Sequence, residues 1–342
     1  MSAEDPVTVS AADAEALCRA VLEAAGAPEA SALAQARQLV AADLCARPSH
    51  GLQRLPTLVE RIHNGVLDPA AVPAVSRRGA ALDVDGRDGF GPVALWAAVE
   101  AARPIARGDG VALAAVRASG HIGMLAPYVE AVARDGLIAL LLTTSEALVH
   151  PAGGSTALVG TNPIGIGVPA DPEPFVLDMS TAAISAGEII AHRERGEALP
   201  EGRAVASDGT PTTDPGAALE GAISPFGGAK GYALGLGLEL LVAALTGTAL
   251  GRDVRGTLDV TDPVTKGDVL VVASPGHGAA HGAALAAYLD ELRASPTAPG
   301  VERVLVPGDR LRATSRRRRR EGIPYPSETW RRLVRLEGAP RG

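Results

Sequence analysis

The sequence predicts an α/β protein, and three observations carry that expectation. Residues 111–142 read as a strand (111–116), a loop (117–122), an Ala-rich helix (123–134) and a second strand (137–142). Residues 10–64 instead repeat their apolar side chains at helical spacing. Between residues 153 and 181, glycine, proline, asparagine and serine bound two short apolar runs, 164–168 and 175–177, each of strand length. At 342 residues the chain can bury a large core, which suggests two domains or one elaborate one.

Taken in order, Ser10 followed by Asp13 resembles a capping box, so a helix runs from there to about Gly26-Ala27-Pro28. A second helix starts near residues 29–31 and carries Leu33, Val40 and Leu44. Pro48 forces Arg47 out of helical geometry, so this helix ends just before Ser49-His50-Gly51. A third has Pro56 in its first turn, Val59 and Ile62 on one face, and a stop at Asn64-Gly65. His50 therefore lies in or just after an elbow between helices. If the elbow winds helically, Arg54 falls on the same side four residues on. From Val75 the pattern changes: residues 80–84 read as a strand with Asp85-Gly86 as its turn, and Pro92 opens a helix with Trp96 and Val99. The strand–helix–strand unit that follows implies parallel neighbours and a right-handed crossover. Ligands gather beyond the carboxyl ends of such strands, where His121 and Thr143-Thr144-Ser145 stand. Residues 201–215 form a polar loop. Residues 225–231 lead into a long apolar helix. A strand (269–273), a helix (280–293), a strand running into a turn (304–309), five arginines (316–320) and a final helix (about 327–336) complete the chain, with no internal repeat.

Apolar residues make up 46% and charged residues 21%, ordinary for a soluble protein, while aromatics at 3% leave the core to aliphatic side chains. The net charge of −7 argues against a general nucleic-acid coat. Arginines 316–320, lacking interleaved aromatics, read as a solvated face or an acidic partner's mate. Cys18 and Cys45 sit in Ala-rich helical pattern, far from any CxxC spacing. They read as reduced core thiols, so neither a disulfide framework nor a metal site is expected. The N-terminus is acidic, without a basic-then-apolar leader. Residues 231–251 are long and apolar enough to cross a membrane, but many glycines, the central Glu239 and no basic flank beyond Lys230 favour a buried core helix.

Several residues can carry chemistry. Asp178, Met179, Ser180 and Thr181 place a carboxylate and two hydroxyls at the tip of a buried strand, which suits the mouth of a pocket or a plain helix cap. Lys230 precedes the positive end of a helix dipole, where a cation is disfavoured by about 0.3–1 kcal/mol. It calls for an offsetting anion, either a phosphate or carboxylate ligand held with the amides of residues 228–231 or an ordinary acidic partner. No GxxxxGK[ST] or strand-linked GxGxxG occurs. His50 and His121, flanked by glycine or serine, are the acid–base candidates. Arg54 can clamp a carboxylate through two parallel bonds. His63, His150, His192, His277 and His281 have weaker contexts.

Together these pieces resemble the malate/L-lactate dehydrogenase family, which also holds sulfolactate, ureidoglycolate, diketogulonate and cyclic-imine (piperideine-2-carboxylate) oxidoreductases. The resemblance rests on SHGLQRL (49–55), GHIGMLAPY (120–128), VGTNPIGIGVPA (159–170), LDMSTAAISAGEI (177–189), DGTPTTDP (208–215), PFGGAKGYALGLGLELL (225–241) and VPGD (306–309), in family order over nearly the whole chain. It implies a non-Rossmann NAD(P)-binding fold, with a helical domain from both chain ends (1–75 and 285–342) and a central mixed-sheet domain (76–284). It implies NAD or NADP as cofactor, a small 2-oxo or 2-hydroxy acid as substrate and a cytoplasmic homodimer, while the charge balance and the reading of residues 231–251 lead us to expect no nucleic-acid or membrane partner.

By position, His121 and His50 would exchange the proton, with His121 the first choice. Ser49 and Arg54 would hold the substrate carboxylate. Ser145, Asp178, Met179, Ser180, Lys230, Gly308 and Asp309 would line the cofactor. The reaction implied is hydride transfer between nicotinamide and C2 of the acid. The alternatives are a cyclic-imine reductase using the same cofactor and a non-catalytic dinucleotide-binding homologue. Three departures bear on these: Glu188 stands where members commonly carry lysine, residues 271–282 lack an acidic residue and an aromatic usual there, and Asp309 replaces a glutamate.

Overall fold

The computed structural model describes residues 5–276 and 278–337, the side chains of 278–281 excepted, so His277 and the His281 side chain lie outside it. Its helices are α1 (Ala11–Ala24), α2 (Glu29–Leu44), α3 (Leu55–His63), α4 (Gly91–Asp109), α5 (Ala126–Arg134), α6 (Ala186–Arg195), α7 (Pro215–Glu220), α8 (Ala229–Thr246), α9 (Gly278–Ala294), α10 (Asp309–Glu321) and α11 (Ser327–Glu337). Its strands are β1 (Val7–Val9), β2 (Ala74–Arg78), β3 (Ala81–Gly89), β4 (Val111–Ser119), β5 (Ile138–Thr143), β6 (Ala147–Val149), β7 (Val159–Gly160), β8 (Ile164–Val168), β9 (Phe175–Met179), β10 (Ala204–Val205), β11 (Pro211–Thr212), β12 (Ala222–Ile223), β13 (Asp268–Ala273) and β14 (Ile323–Tyr325).

The helical beginning forms as its sequence dictates. Ser10 Oγ accepts the Asp13 N–H at 3.0 Å and opens α1. Pro56 lies in the first turn of α3, and Gly65 takes the positive φ that ends it. Leu17, Val21, Leu22, Leu39, Leu44, Leu55 and Leu58 share one apolar cluster with Ile323, Tyr325 and Leu333, so both ends of the chain pack together. The antiparallel pairing of β1 with β14, Val7 opposite Tyr325, reinforces that closure.

A seven-stranded sheet, in the order β2-β3-β4-β13-β5-β8-β9, forms the centre. Only β3 and β4 pair in parallel within it. The expected pairing of β4 with β5 is therefore corrected: β13 inserts between them, antiparallel to both. The crossover helix α5 exists, but nothing within residues 111–142 can announce a strand that arrives more than a hundred residues later. The pleat sends alternate side chains to opposite faces. Leu141, Leu270 and Val272 meet α4 and α5, while Leu142 and Val269 meet Leu238 and Val242 of α8.

Three further expectations change. Asp85-Gly86 is not a turn: β3 continues through it to Gly89 with a register shift, Arg87 and Asp88 taking positive φ. Residues 304–306 join no ladder, and arginines 316–320 lie within α10. The apolar helix α8 is only partly buried. Leu240 and Leu241 are about half exposed (50% and 48%), whereas Glu239 is buried and accepts N–H groups of Gly160, Asn162 and Gly251. By length and composition alone α8 could cross a membrane.

Glycines let α5 lie directly on β8. A Cβ at Gly167 would stand 2.1 Å from the Val129 carbonyl oxygen, and one at Gly165 2.9 Å from Leu125 Cβ. Overpacking of this kind costs about 1–3 kcal/mol. Gly167→Ala should lower the urea midpoint accordingly, and an unchanged midpoint would show that the helix can retreat freely.

Candidate active site

The elbow after α2 builds one wall of the site. Ala46 turns the chain with positive φ, and two 3-10 turns follow, Pro48–His50 and Leu52–Arg54. Their tightness brings Ser49, His50 and Arg54 to a single cavity of about 420 Å³, which His121, Ser145, Asp178, Met179 and Ser180 also line. His121 reaches it from the loop between β4 and α5, whose backbone runs so close to Gly91 that a Cβ there would lie 2.3 Å from the Gly120 carbonyl oxygen.

The two imidazoles touch. His50 Nδ1 and His121 Nε2 are 3.2 Å apart, with ring planes within 10° of parallel. The Gly123 N–H donates to His121 Nδ1 at 3.1 Å, which makes that nitrogen an acceptor. In the neutral pair the His121 proton is then on Nε2 and donates to His50 Nδ1, which leaves the His50 proton on Nε2. Both nitrogens of His121 are occupied. His50 Nε2 has no partner among the described residues. Burial and the Arg54 charge lower His50 to about 4 and hold His121 well below its ordinary value, so the pair is uncharged at neutral pH.

Arg54 donates through Nη2 to the Thr257 carbonyl. Burial pulls its guanidinium down to about 10, with Glu146 opposing, so it stays cationic at neutral pH. Glu146 accepts the Thr257 N–H (2.7 Å), the Thr257 hydroxyl (3.0 Å) and the Leu258 N–H (2.8 Å). From α3, buried Arg61 donates to the carbonyls of Asp259 (2.8 Å) and Asp262 (3.1 Å). Residues 257–262 are thus tied to Arg54, Arg61 and Glu146, and Thr257 and Leu258 among them line the cavity. Reading the sequence missed them, although a carboxylate next to Ser145 at the end of β5 was a usable signal.

Hydroxyls line the cavity as well. Ser145 Oγ and Thr161 Oγ1 are 2.9 Å apart, and Ser180 Oγ donates to the Thr161 carbonyl at 3.2 Å. Asp178 Oδ2 accepts the N–H groups of Leu125 and Ala126, both at 2.8 Å, at the head of α5. Burial raises its pKa against those bonds.

Three expected cofactor residues do not line this cavity. Lys230 is exposed at the head of α8, without an ion-pair partner among the described residues, although the turn before it is tied to the site by the Phe226 N–H donating to the Thr181 carbonyl. Asp309 is occupied by Arg293 (2.9 Å through each of two nitrogens) and Arg312 (3.0 Å), which hold its carboxyl down at about 2. Gly308 caps α10 with positive φ. Leu311, one turn on, does reach the cavity.

A sequence model of the family described as malate/L-lactate dehydrogenase matches residues 9–334. The chain belongs to the malate/L-lactate dehydrogenase family. It is 37% identical to a Δ1-pyrroline-2-carboxylate reductase of Ancylobacter novellus over 99% of each chain. It is 35% identical to a (2R)-3-sulfolactate dehydrogenase (NADP+) of Chromohalobacter salexigens, over 93% of this chain and 94% of that one. The fold superposes on a dehydrogenase from Sinorhizobium meliloti with a TM-score of 0.93 and 48% identity, covering 98% of this chain and 100% of that one. Like other members of the malate/L-lactate dehydrogenase family, the chain is an NAD(P)-dependent oxidoreductase. Its cavity fits that cofactor's reactive end: hydroxyls of Ser145, Thr161 and Ser180 can meet a carboxamide, beside the apolar flanks of Met179, Leu125 and Ile184.

Proposed function

We propose that this enzyme transfers hydride between a nicotinamide and C2 of a small 2-oxo or 2-hydroxy acid, acting on a CH–OH group. The contact between His50 and His121 beside Arg54 carries the reading. The nicotinamide supplies the hydride when bound. Ser145, Asp178, Met179 and Ser180 form its wall. Arg54, already bonded to Thr257 by one nitrogen, offers its remaining donors to the substrate carboxylate, with Ser49 beside it. His50 faces the substrate oxygen through Nε2 and stabilises the charge that develops there. It gives up the Nε2 proton as an imidazolium, with a second proton held on Nδ1 once the anionic substrate favours its charged form, and is left neutral, while His121 orients the ring. This reverses the order expected from the sequence, because His121 has no nitrogen to spare.

A second reading, reduction of a cyclic 2-imino acid, is favoured by one observation. Glu188 lines the cavity, and a carboxylate there attracts a protonated imine. Glu188 is exposed, so its influence is modest. Glu188→Lys should shift the kcat/KM ratio of 2-oxo acid to cyclic imine by roughly two- to fivefold towards the oxo acid. An unshifted ratio would remove Glu188 from substrate choice. Following NADH and NADPH absorbance with a panel of 2-oxo acids and cyclic imines tests both readings, and binding without turnover of any would overturn them.

We further place the protein in the cytoplasm, in keeping with its two free thiols. We also assign the exposed leucines of α8 to contact with a second copy. A monomeric mass in solution would contradict that.

A further inference from the structure

The elbow that carries Ser49, His50 and Arg54 has a weak point in its own hydrogen bonding. Its two 3-10 turns close through the N–H groups of His50, Gly51 and Arg54, which find the carbonyls of Arg47, Pro48 and Gly51. The N–H of Leu52, a residue with no exposed surface, is left over in the interior. It is taken by a side chain of the preceding helix: Asp43 Oδ2 accepts it at 2.9 Å. The same oxygen accepts the Tyr325 hydroxyl at 2.8 Å, from the C-terminal strand β14. Arg318 of α10 donates to the Asp43 carbonyl. The carboxylate lies flat against Gly51, where a Cβ would come within 1.8 Å of Oδ1, so only glycine admits it.

We propose that Asp43 is a positioning residue: its carboxylate, pinned by Tyr325, fixes the Leu52 amide midway between His50 and Arg54 and so sets their separation across the cavity. The assignment rests on the reading of His50 and Arg54 given above. A buried carboxylate is an expensive way to hold an amide. Burial raises Asp43 to about 6, against the lowering effect of Leu52, Tyr325 and Arg318. Stability alone would be served as well by a neutral acceptor, which leaves rigid placement of the elbow as what the charge contributes. A misplacement of about 1 Å originating away from the chemistry can cost roughly a hundredfold in rate.

The titratable groups around the carboxylate are few. Cys18 from α1 and Tyr325 from β14 are both pushed up by burial, and Arg318 comes from α10. On the elbow itself, His50 is lowered to about 4 and Arg54 to about 10. Asp43 is therefore the group of this cluster that changes charge near pH 6. Because its folded pKa lies above the unfolded value, its ionisation costs the fold nothing below about pH 4 and most above pH 6. Replacement by asparagine removes that cost.

The test uses Asp43→Asn and Tyr325→Phe in the full chain. Asp43→Asn should lower kcat/KM by about 10–100-fold. Its melting temperature relative to the unsubstituted protein should rise as pH goes from 4 to 8. The unsubstituted enzyme should show an acid limb in kcat near pH 6 that the variant lacks. Hydrogen exchange of amides 49–55 should accelerate about tenfold or more in the variant while exchange in the central sheet is unchanged. The exchange readout needs no substrate, so it separates failure of this inference from failure of the proposed reaction. Unaltered exchange and turnover in Asp43→Asn would overturn the inference, as would an acid limb that persists there. Should Asp43→Asn fail to fold, Tyr325→Phe decides: faster exchange at 49–55 with an intact sheet supports the clamp, and unaltered exchange refutes it.

Discussion

Replacing His50 by alanine should lower kcat by about 10²–10⁴-fold, the usual worth of a positioned acid–base group. The effect should fall on kcat rather than on NADPH or NADH affinity, because the proposed reaction assigns His50 to the reacting oxygen and Ser145, Asp178, Met179 and Ser180 to the cofactor. His121→Ala should be milder. It removes the bond that holds the His50 tautomer but leaves Nε2 of His50 in the cavity, and a rotated ring still presents that nitrogen part of the time. Single-turnover rates of the two variants, measured with the same substrate, check the order. Near-normal turnover in His50→Ala with collapse in His121→Ala would reverse the assignment. The reasoning is one of occupancy. The Gly123 N–H at 3.1 Å and the neighbouring ring at 3.2 Å together use both nitrogens of His121.

Arg54→Ala should reduce kcat/KM by roughly a hundredfold, since removing one partner of a desolvated, hydrogen-bonded charge pair costs about 2–5 kcal/mol. Two losses combine in it. The substrate carboxylate loses its cation, and the Thr257 carbonyl loses its donor, so the strand of chain at 257–262 loosens while Glu146 keeps its own three bonds. Arg54→Lys should recover little. A lysine carries a point charge, and the position calls for a planar fork that serves a carbonyl on one side and a carboxylate on the other. Comparing each variant on an acid and on its uncharged amide separates the two losses: only the acid should suffer from the missing cation. If acid and amide fall equally, Arg54 acts through residues 257–262 alone.

Much of this protein can be read along the chain because its signals are local. Ser10 with Asp13, Pro56 within its first turn and Gly65 after the last fix helix ends through bonds made within a few residues. The glycine-punctuated runs at 164–168 and 175–177 become the strands β8 and β9 that they suggest, and the structure pairs them antiparallel. Ser49, His50, Arg54 and His121 are nominated as a site by the motifs at 49–55 and 120–128 taken together, since a single loop histidine or arginine more often has a structural use. Where the readings failed, the deciding partner was distant. Asp85-Gly86 looks like a turn, yet the close backbone of Ala118 and Ser119 on the neighbouring strand carries β3 past it. Asp309 looks available for a ligand until Arg293 and Arg312 fold over it.

By itself, then, the sequence determined most helices and several strands, the aliphatic character of the core and the family, and it nominated the side chains proposed to exchange a proton or hold a carboxylate. Only the tertiary structure decided that β13 separates β4 from β5, that His50 meets His121 across seventy-one positions, and which of their nitrogens is left free. The physical reason is range. Caps, turns and pleats are set by backbone geometry over a few residues, whereas a tautomer, a depressed pKa or an occupied carboxylate depends on which distant groups burial brings within about 3 Å.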